Sequence, residues 1–138
     1  MTKNEILKFI NDNPFFFLAT NESTQPRVRV MTLIEASDEQ ILFGTDKYKD
    51  VYEQLARNPL IEMCFYTSKG QNQVRVSGEV ELVEDIEVKK NVVSTRPFLN
   101  GLIEKGGYDV LAIYRLKNGK ATPWSLKTSY GEKKYIEL

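Results

Sequence analysis

The sequence predicts an α+β fold in which an antiparallel barrel of roughly six or seven strands carries short flanking helices. Apolar and polar residues alternate over short segments, and these segments follow one another in neighbouring pairs. Helical patterns occur between the pairs and not after every strand, which disfavours a parallel, doubly wound sheet. The length of 138 residues favours a single domain spanning residues 1–138.

The N-terminal half is predicted to hold two helices and three strands. Thr2 and Glu5 form a capping box at the start of a helix that ends at the first Asn-Pro pair. A second helix begins at Asp50, with Glu53 as its capping partner, and ends before Pro59. Polar turns separate the strands, which are predicted at 15–20, 27–34 and 40–45.

The C-terminal half is predicted to continue with strands at 61–67 and 73–83, around a turn at 68–71. Gly78 marks a bulge or bend in the second of these strands. Two helices are predicted at 86–94 and 97–104. A late hairpin turns at Lys117-Asn118-Gly119, and its strands and one further strand are predicted at 110–116, 120–125 and 134–136.

The strand that begins near residue 27 alternates cationic and apolar side chains. Arg27, Arg29 and Met31 should point to one face, and Val28 and Val30 to the other. We expect the valine face to pack in the core and the arginine face to form a cationic surface. Taken alone, such arginines are typical of a solvated strand face.

A second basic segment lies just ahead of the helix predicted from Asp50. Thr45, Lys47 and Lys49 would bring a hydroxyl and two ammonium groups to the helix N-terminus, where backbone N–H groups and the helix dipole favour anions. Together with Arg29 they predict a clamp for a phosphate. The alternative is a charged turn, because Asp50 at the helix cap would compete with a bound phosphate.

The composition argues against a nucleic-acid partner attracted by charge and excludes several kinds of catalytic and metal site. Lys plus Arg and Asp plus Glu both total 19, so no net field attracts nucleic acid, and we expect no nucleic-acid partner. The chain has no histidine and one cysteine, which excludes a Ser/His or Cys/His nucleophile and offers no metal site. No pair of carboxylates has the spacing of an acid/base couple, so no catalytic residue is identified.

The sequence also predicts where the protein is located in the cell. No apolar run approaches the roughly 20 residues that cross a bilayer, so no integral membrane protein is expected. The single cysteine, Cys64, cannot form an internal disulfide, and the N-terminal residues lack the basic-then-apolar order of a signal peptide. We therefore expect a cytoplasmic protein.

Five short motifs occur in a characteristic order along the chain. They are Phe17-Leu18-Ala19-Thr20, Pro26-x-x-Arg29, Leu42-x-x-Thr45, Leu55-x-x-Asn58-Pro59 and Val74-x-Val76-x-Gly78-x-Val80. In this order the chain resembles the pyridoxamine 5'-phosphate oxidase-like FMN-binding split barrels. It is most similar to their short branch of general stress and nitroimidazole-resistance proteins. The resemblance extends to about Ser125.

The resemblance implies a homodimer that holds FMN at the subunit interface and uses a nicotinamide cofactor or a small electrophile as redox partner. Arg29 and Thr45 would bind the flavin phosphate, with Lys49 or Lys47 at the basic position before the helix. Gln73 would reach the flavin from the partner subunit. The other cofactor-binding residues that it implies are Val30, Met31 and Thr32, along the ring and bonding it through the backbone, and the late aromatic Trp124.

Two departures from the family pattern, and three alternatives, accompany this interpretation. Thr24 and Gln25 replace the glycine that often precedes the strand proline. The true oxidases carry a C-terminal Arg-x-His segment, so without histidine we do not expect pyridoxamine 5'-phosphate oxidase activity. The alternatives are the same fold binding deazaflavin, the same fold binding haem through a tyrosine, or a flavin-binding or stress-sensing module without catalysis.

Overall fold

The computed structural model describes every residue from Met1 to Leu138 and contains seven strands and four α-helices. The helices are α1 (Lys3–Asp12), α2 (Asp50–Arg57), α3 (Ile86–Thr95) and α4 (Asn100–Gly106). The strands are β1 (Phe15–Glu22), β2 (Gln25–Ala36), β3 (Ile41–Asp46), β4 (Leu60–Thr67), β5 (Asn72–Leu82), β6 (Leu111–Ser125) and β7 (Ile136–Glu137). None of the helices is long and apolar enough to cross a membrane.

Six strands close into an antiparallel barrel in the order β3-β2-β1-β4-β5-β6. Pairing between β3 and β6, from Leu42 opposite Arg115 to Asp46 opposite Leu111, completes the ring. β7 adds to the other edge of β6 as an extra strand. The predicted α+β antiparallel barrel with short flanking helices is confirmed.

Two apolar clusters hold the barrel and its helices together. Inside the barrel the rings of Phe16 and Phe43 lie 5.6 Å apart at their centroids, and those of Phe16 and Phe65 lie 5.0 Å apart. The capping box of Thr2 and Glu5 is present, and it starts α1, which packs its apolar face on this core. A second cluster packs α3 against β3 and β6 and so fixes the helical side of the molecule: Leu42, Val83, Val92, Val93, Leu111 and Ile113.

The late hairpin is not formed, and that prediction is wrong. Residues 111–125 make one continuous strand, β6, because β5 is long enough to pair with both halves. Asn118, with φ of 54°, and Gly119 form a bulge opposite Gly78 instead of a turn. A Cβ at Gly78 would lie 2.7 Å from the carbonyl oxygen of Lys117, so only glycine fits there. The predicted bulge at Gly78 is confirmed.

The faces of β2 are the reverse of those expected. Met31 and Leu33 are buried in the barrel, whereas Val28 and Val30 are 68% and 58% exposed. Arg29 therefore shares its face with core residues and lies near the end of the barrel interior. Alternation separates the two faces of a strand, but it does not say which one packs inward.

Smaller differences concern element ends. The helix predicted at 97–104 is a short 3-10 turn, Pro97–Leu99, followed by α4. The last strand, Ile136–Glu137, begins two residues later than predicted. The remaining predicted strands and helices are present with ends that differ by a few residues.

Candidate functional site

Two adjoining grooves open beside β2. The apolar groove, of about 280 Å³, lies between β2, β3 and the α3–α4 side of the molecule. The charged groove, of about 490 Å³, lies between β2 and the start of α2. Both are lined by Val30, Met31 and Lys49, so one opens into the other. The pair can accept a ligand with an apolar body and an anionic end.

The edge of β2 that faces the grooves is only partly paired. β2 pairs with β3 from Leu33 to Ala36, whereas its earlier residues pair with β1 alone. Backbone groups of the preceding stretch, Val30 to Thr32, that turn away from β1 therefore have no strand partner. They can bond a ligand that lies along this edge.

Arg29 is held firmly at the charged groove. Its Nη1 donates to Thr20 Oγ1 at 2.7 Å and to the carbonyl oxygen of Leu18 at 3.3 Å, and its Nη2 donates to Gln54 Oε1. Burial, and next the charge of Arg27, lower the pKa of Arg29, but a guanidinium stays cationic at physiological pH. Of its five N–H donors, one on Nη2 and the one on Nε remain for an anion.

Gln54 is a site residue that sequence reasoning missed. It is 5% exposed, and its Oε1 also accepts from Thr20 Oγ1 at 2.6 Å. Its Nε2 donates to Glu22 Oε2 at 3.0 Å. This bond, and next the hydrogen bond and the charge of Arg27, lower the pKa of the Glu22 carboxyl. The available signal was its spacing of three residues from Val51, which places an amide on the buried face of a short helix.

The N-terminus of α2 has no side-chain cap. Its N-cap residue is Lys49, and Asp50 is the first helical residue, so the prediction that Asp50 and Glu53 cap this helix is wrong. Asp46 holds the preceding turn, since its Oδ1 accepts from the Tyr48 N–H at 2.9 Å and its Oδ2 lies 3.6 Å from Lys49 Nζ. The first-turn N–H groups of α2 are therefore left without a side-chain acceptor.

Thr45 supplies a polar atom without a partner. Its side chain is 8% exposed, lies in the wall of the apolar groove, and has an Oγ1 that bonds no protein atom. An unpartnered buried hydroxyl costs roughly 1–3 kcal/mol, which a ligand acceptor would recover. The residues present therefore fit a polar, anion-bearing ligand.

Three of the sequence-predicted site residues lie outside both grooves. Lys47 places its Nζ 5.6 Å from the ring centroid of Tyr52. Gln73 and Trp124 are opposite each other on β5 and β6. The structure thus brings together Arg29, Val30, Met31, Thr32, Thr45 and Lys49, and it separates Lys47, Gln73 and Trp124 from them.

Next to the grooves lies an exposed apolar surface, which we call the outer apolar face. It comprises Phe15 and Phe17 on β1, Val28 and Val30 on β2, and Tyr66 on β4. Phe17 is opposite Val30 across the β1–β2 ladder. Val30 belongs both to this face and to the grooves, so a molecule seated on the face would also border the grooves.

Known proteins similar to this chain share its fold. A NimC/NimA family protein from Clostridium acetobutylicum is 26% identical, with a TM-score of 0.80 over 98% of this chain and 92% of that one. General Stress Protein 26 from Bacillus anthracis is 15% identical, with a TM-score of 0.70 over 99% of this chain and 98% of that one. A pyridoxamine 5'-phosphate oxidase-related, FMN binding protein from Nostoc punctiforme is 13% identical, with a TM-score of 0.66 over 99% and 96%.

Curated relatives and a family model match in sequence. A pyridoxine/pyridoxamine 5'-phosphate oxidase from Allorhizobium ampelinum is 34% identical over 89 residues, which are 64% of this chain and 43% of that protein. A second one, from Agrobacterium fabrum, is 34% identical over 79 residues, which are 56% of this chain and 38% of that protein. The chain thus spans less than half the length of these curated relatives. The family model described as pyridoxamine 5'-phosphate oxidase matches residues 2–106, and the chain belongs to that family.

Proposed function

We propose that this protein binds FMN and uses it as an oxidoreductase. The observation that carries the proposal is the junction of the apolar groove with the charged groove, which holds Arg29, at Val30, Met31 and Lys49. FMN has the matching shape, with a flat ring system at one end and a phosphate at the other. The family and the FMN-binding relative in fold from Nostoc punctiforme support the same cofactor.

Each side chain has a distinct part in binding. Arg29 donates its two remaining N–H groups to the phosphate, and Lys49 adds a mobile ammonium beside the uncapped start of α2. The Thr45 hydroxyl donates to an oxygen of the cofactor. The free backbone edge at Val30 to Thr32 bonds the polar rim of the ring. Lys47 contributes only to the positive field.

The active form in this proposal is a homodimer. A groove of about 280 Å³ is at the small end for a cofactor site, and it leaves a flat ring partly in water. A second copy seated on the outer apolar face would bury Phe17 and Val30 and cover the ring. In this arrangement the partner subunit's Gln73, and with it the partner subunit's Trp124, would approach the flavin.

When bound, the flavin supplies the hydride chemistry. The protein would bind and orient it and exclude water from the groove, and a nicotinamide cofactor or a small electrophile would be its redox partner. We do not propose oxidation of the vitamin phosphate, because residues 1–138 include no histidine to match the Arg-x-His segment.

The test is titration of the purified protein with FMN and, separately, with riboflavin, deazaflavin and haem. We expect saturable FMN binding with one flavin per chain, and weaker binding of riboflavin because it lacks the phosphate. Oxidation of reduced nicotinamide with several electron acceptors then measures turnover. A protein that binds deazaflavin or haem in preference, or no flavin at all, contradicts the cofactor assignment. Flavin binding without turnover favours a sensing or storage module.

A further inference from the structure

We propose that Gln54 is a positioning residue for the cofactor phosphate, which holds the Arg29 guanidinium through its carbonyl oxygen while keeping the Glu22 carboxylate away from it. The inference rests on the proposed function, because it requires an anionic group bound by Arg29. It concerns how the positive charge is presented, which neither the family nor the groove shape specifies.

The orientation of the Gln54 amide follows from its neighbours. A guanidinium can only donate hydrogen bonds, and an ionised carboxylate can only accept them. Arg29 lies on one side of the amide and Glu22 on the other. The amide satisfies both only with Oε1 toward Arg29 and Nε2 toward Glu22. The donation from Thr20 to the same Oε1, at 2.6 Å, favours the same orientation.

The neutral amide of Gln54 bonds Arg29 without bringing a negative charge to it. If a carboxylate took the place of the amide, its charge would offset that of the guanidinium and repel a phosphate. Here the Glu22 carboxylate is held one residue away, because it accepts from Gln54 and from Arg27 Nη2 at 3.2 Å. The charge of Asp50 acts more strongly on Arg29 than that of Glu22, but Asp50 makes no hydrogen bond to the guanidinium. Arg29 is thereby immobilised by three acceptors, none of which carries a charge: Thr20, Leu18 and Gln54.

The position of Gln54 on α2 links the two halves of the phosphate site. Lys49 precedes the first turn of this helix, and Gln54 lies in its second turn. Val51 and Leu55, on the same helix, are buried in the barrel core. The guanidinium of Arg29 and the start of α2 therefore keep a fixed separation, which suits two groups that bind one phosphate.

The experiment compares the affinities for FMN and riboflavin, which differ only in the phosphate. We expect Gln54→Leu to lower the FMN-to-riboflavin affinity ratio by about tenfold, with riboflavin affinity unchanged. Gln54→Glu keeps the shape and the bonds to Arg29 and Thr20, but it places a carboxylate on the guanidinium and removes the hydrogen bond to Glu22, which then faces a second carboxylate. It should lower the ratio at least as much. Because it is isosteric, it remains informative if the leucine variant does not fold.

A matched control exists on the same barrel. Gln40 also links a glutamate to an arginine, since its Nε2 donates to Glu35 at 3.0 Å and its Oε1 accepts from Arg115 Nη2 at 3.2 Å. It lines neither groove, so Gln40→Leu should leave the ratio unchanged.

The outcomes separate the two proposals. A wild-type protein that binds FMN no better than riboflavin refutes the phosphate site and this inference with it. A wild-type preference for FMN that survives in both Gln54 variants overturns the inference alone. A loss of riboflavin affinity equal to that of FMN shows that Gln54 has only a structural part.

Discussion

Replacing Arg29 by alanine tests the phosphate site most directly. The change removes two N–H donors that bond no protein atom, on a residue that lines the charged groove. One charge-assisted, two-pronged contact contributes about 1.5–3 kcal/mol, which corresponds to a rise in the FMN dissociation constant of about 10- to 150-fold. The fold should tolerate the change, because Thr20 still donates to Gln54 at 2.6 Å. We expect a stability loss of about 1 kcal/mol.

The assay is quenching of flavin fluorescence at constant ionic strength, with urea unfolding of the same preparations. Riboflavin is the ligand control, and its affinity should change little. Arg29→Lys is the variant control: it keeps the charge but not the paired donors, so its affinity should fall between wild type and alanine. Equal FMN affinities for wild type and Arg29→Ala, with the fold intact, would show that Arg29 is only a structural residue at the barrel end.

Three further predictions concern the lysines, the outer apolar face and the barrel core. Lys49→Ala should weaken FMN binding by up to about fivefold and Lys47→Ala by less than about twofold, since exposed lysines contribute under about 1 kcal/mol and Lys47 lines neither groove. The reverse order, in the same titration, would contradict the site. If the proposed dimer forms through the outer apolar face, Phe17→Glu should sediment as a monomer at low micromolar concentration and bind FMN more weakly, because dimerisation and FMN binding are linked; a flavin-saturated wild-type monomer would refute the interface. Tyr114→Phe should leave the free energy of unfolding unchanged or raise it by about 1 kcal/mol, because the hydroxyl is buried without a partner and that burial raises the pKa of Tyr114; a clear loss of stability in urea would show that the hydroxyl is bonded.

Most of the fold could be predicted because local signals and global packing agree. The capping box of Thr2 and Glu5 predicts the start of a helix, and α1 begins there. The alternation of apolar residues in β5 matches the face of that strand that is buried. The exceptions are segments whose structure depends on which strand pairs with them. Asn118-Gly119 has the residues of a tight turn, but β5 offers hydrogen-bonding partners on both sides of it. The residues of the turn do not show that β5 is long enough to pair with both segments.

The site could be predicted in part for a related reason. Arg29, Thr45 and Lys49 were identified from residue type and order, and they do line the grooves. The outward direction of Val28 and Val30 was not, because a strand face that is apolar looks the same in sequence whether a core or a partner covers it. Gln54 was missed because its spacing from Val51 indicates only that the amide is buried, and not that its partners are Arg29 and Glu22.

The bulge at Asn118 and Gly119 has a consequence for the late part of β6. Before it, Ala112 and Tyr114 point into the barrel, whereas after it the inward residue is Ala121. The inserted residue shifts the alternation by one, and that shift turns Trp124 to the outer side together with Gln73, its neighbour on β5. If the strand instead ran regularly through this point, the same residues would keep the earlier phase and direct the indole of Trp124 into a barrel already filled by phenylalanines. Deleting one residue of the bulge would leave a regular strand with Ala121 still inward and Trp124 still outward, so it is the bulge that lets the longer chain keep these two surfaces.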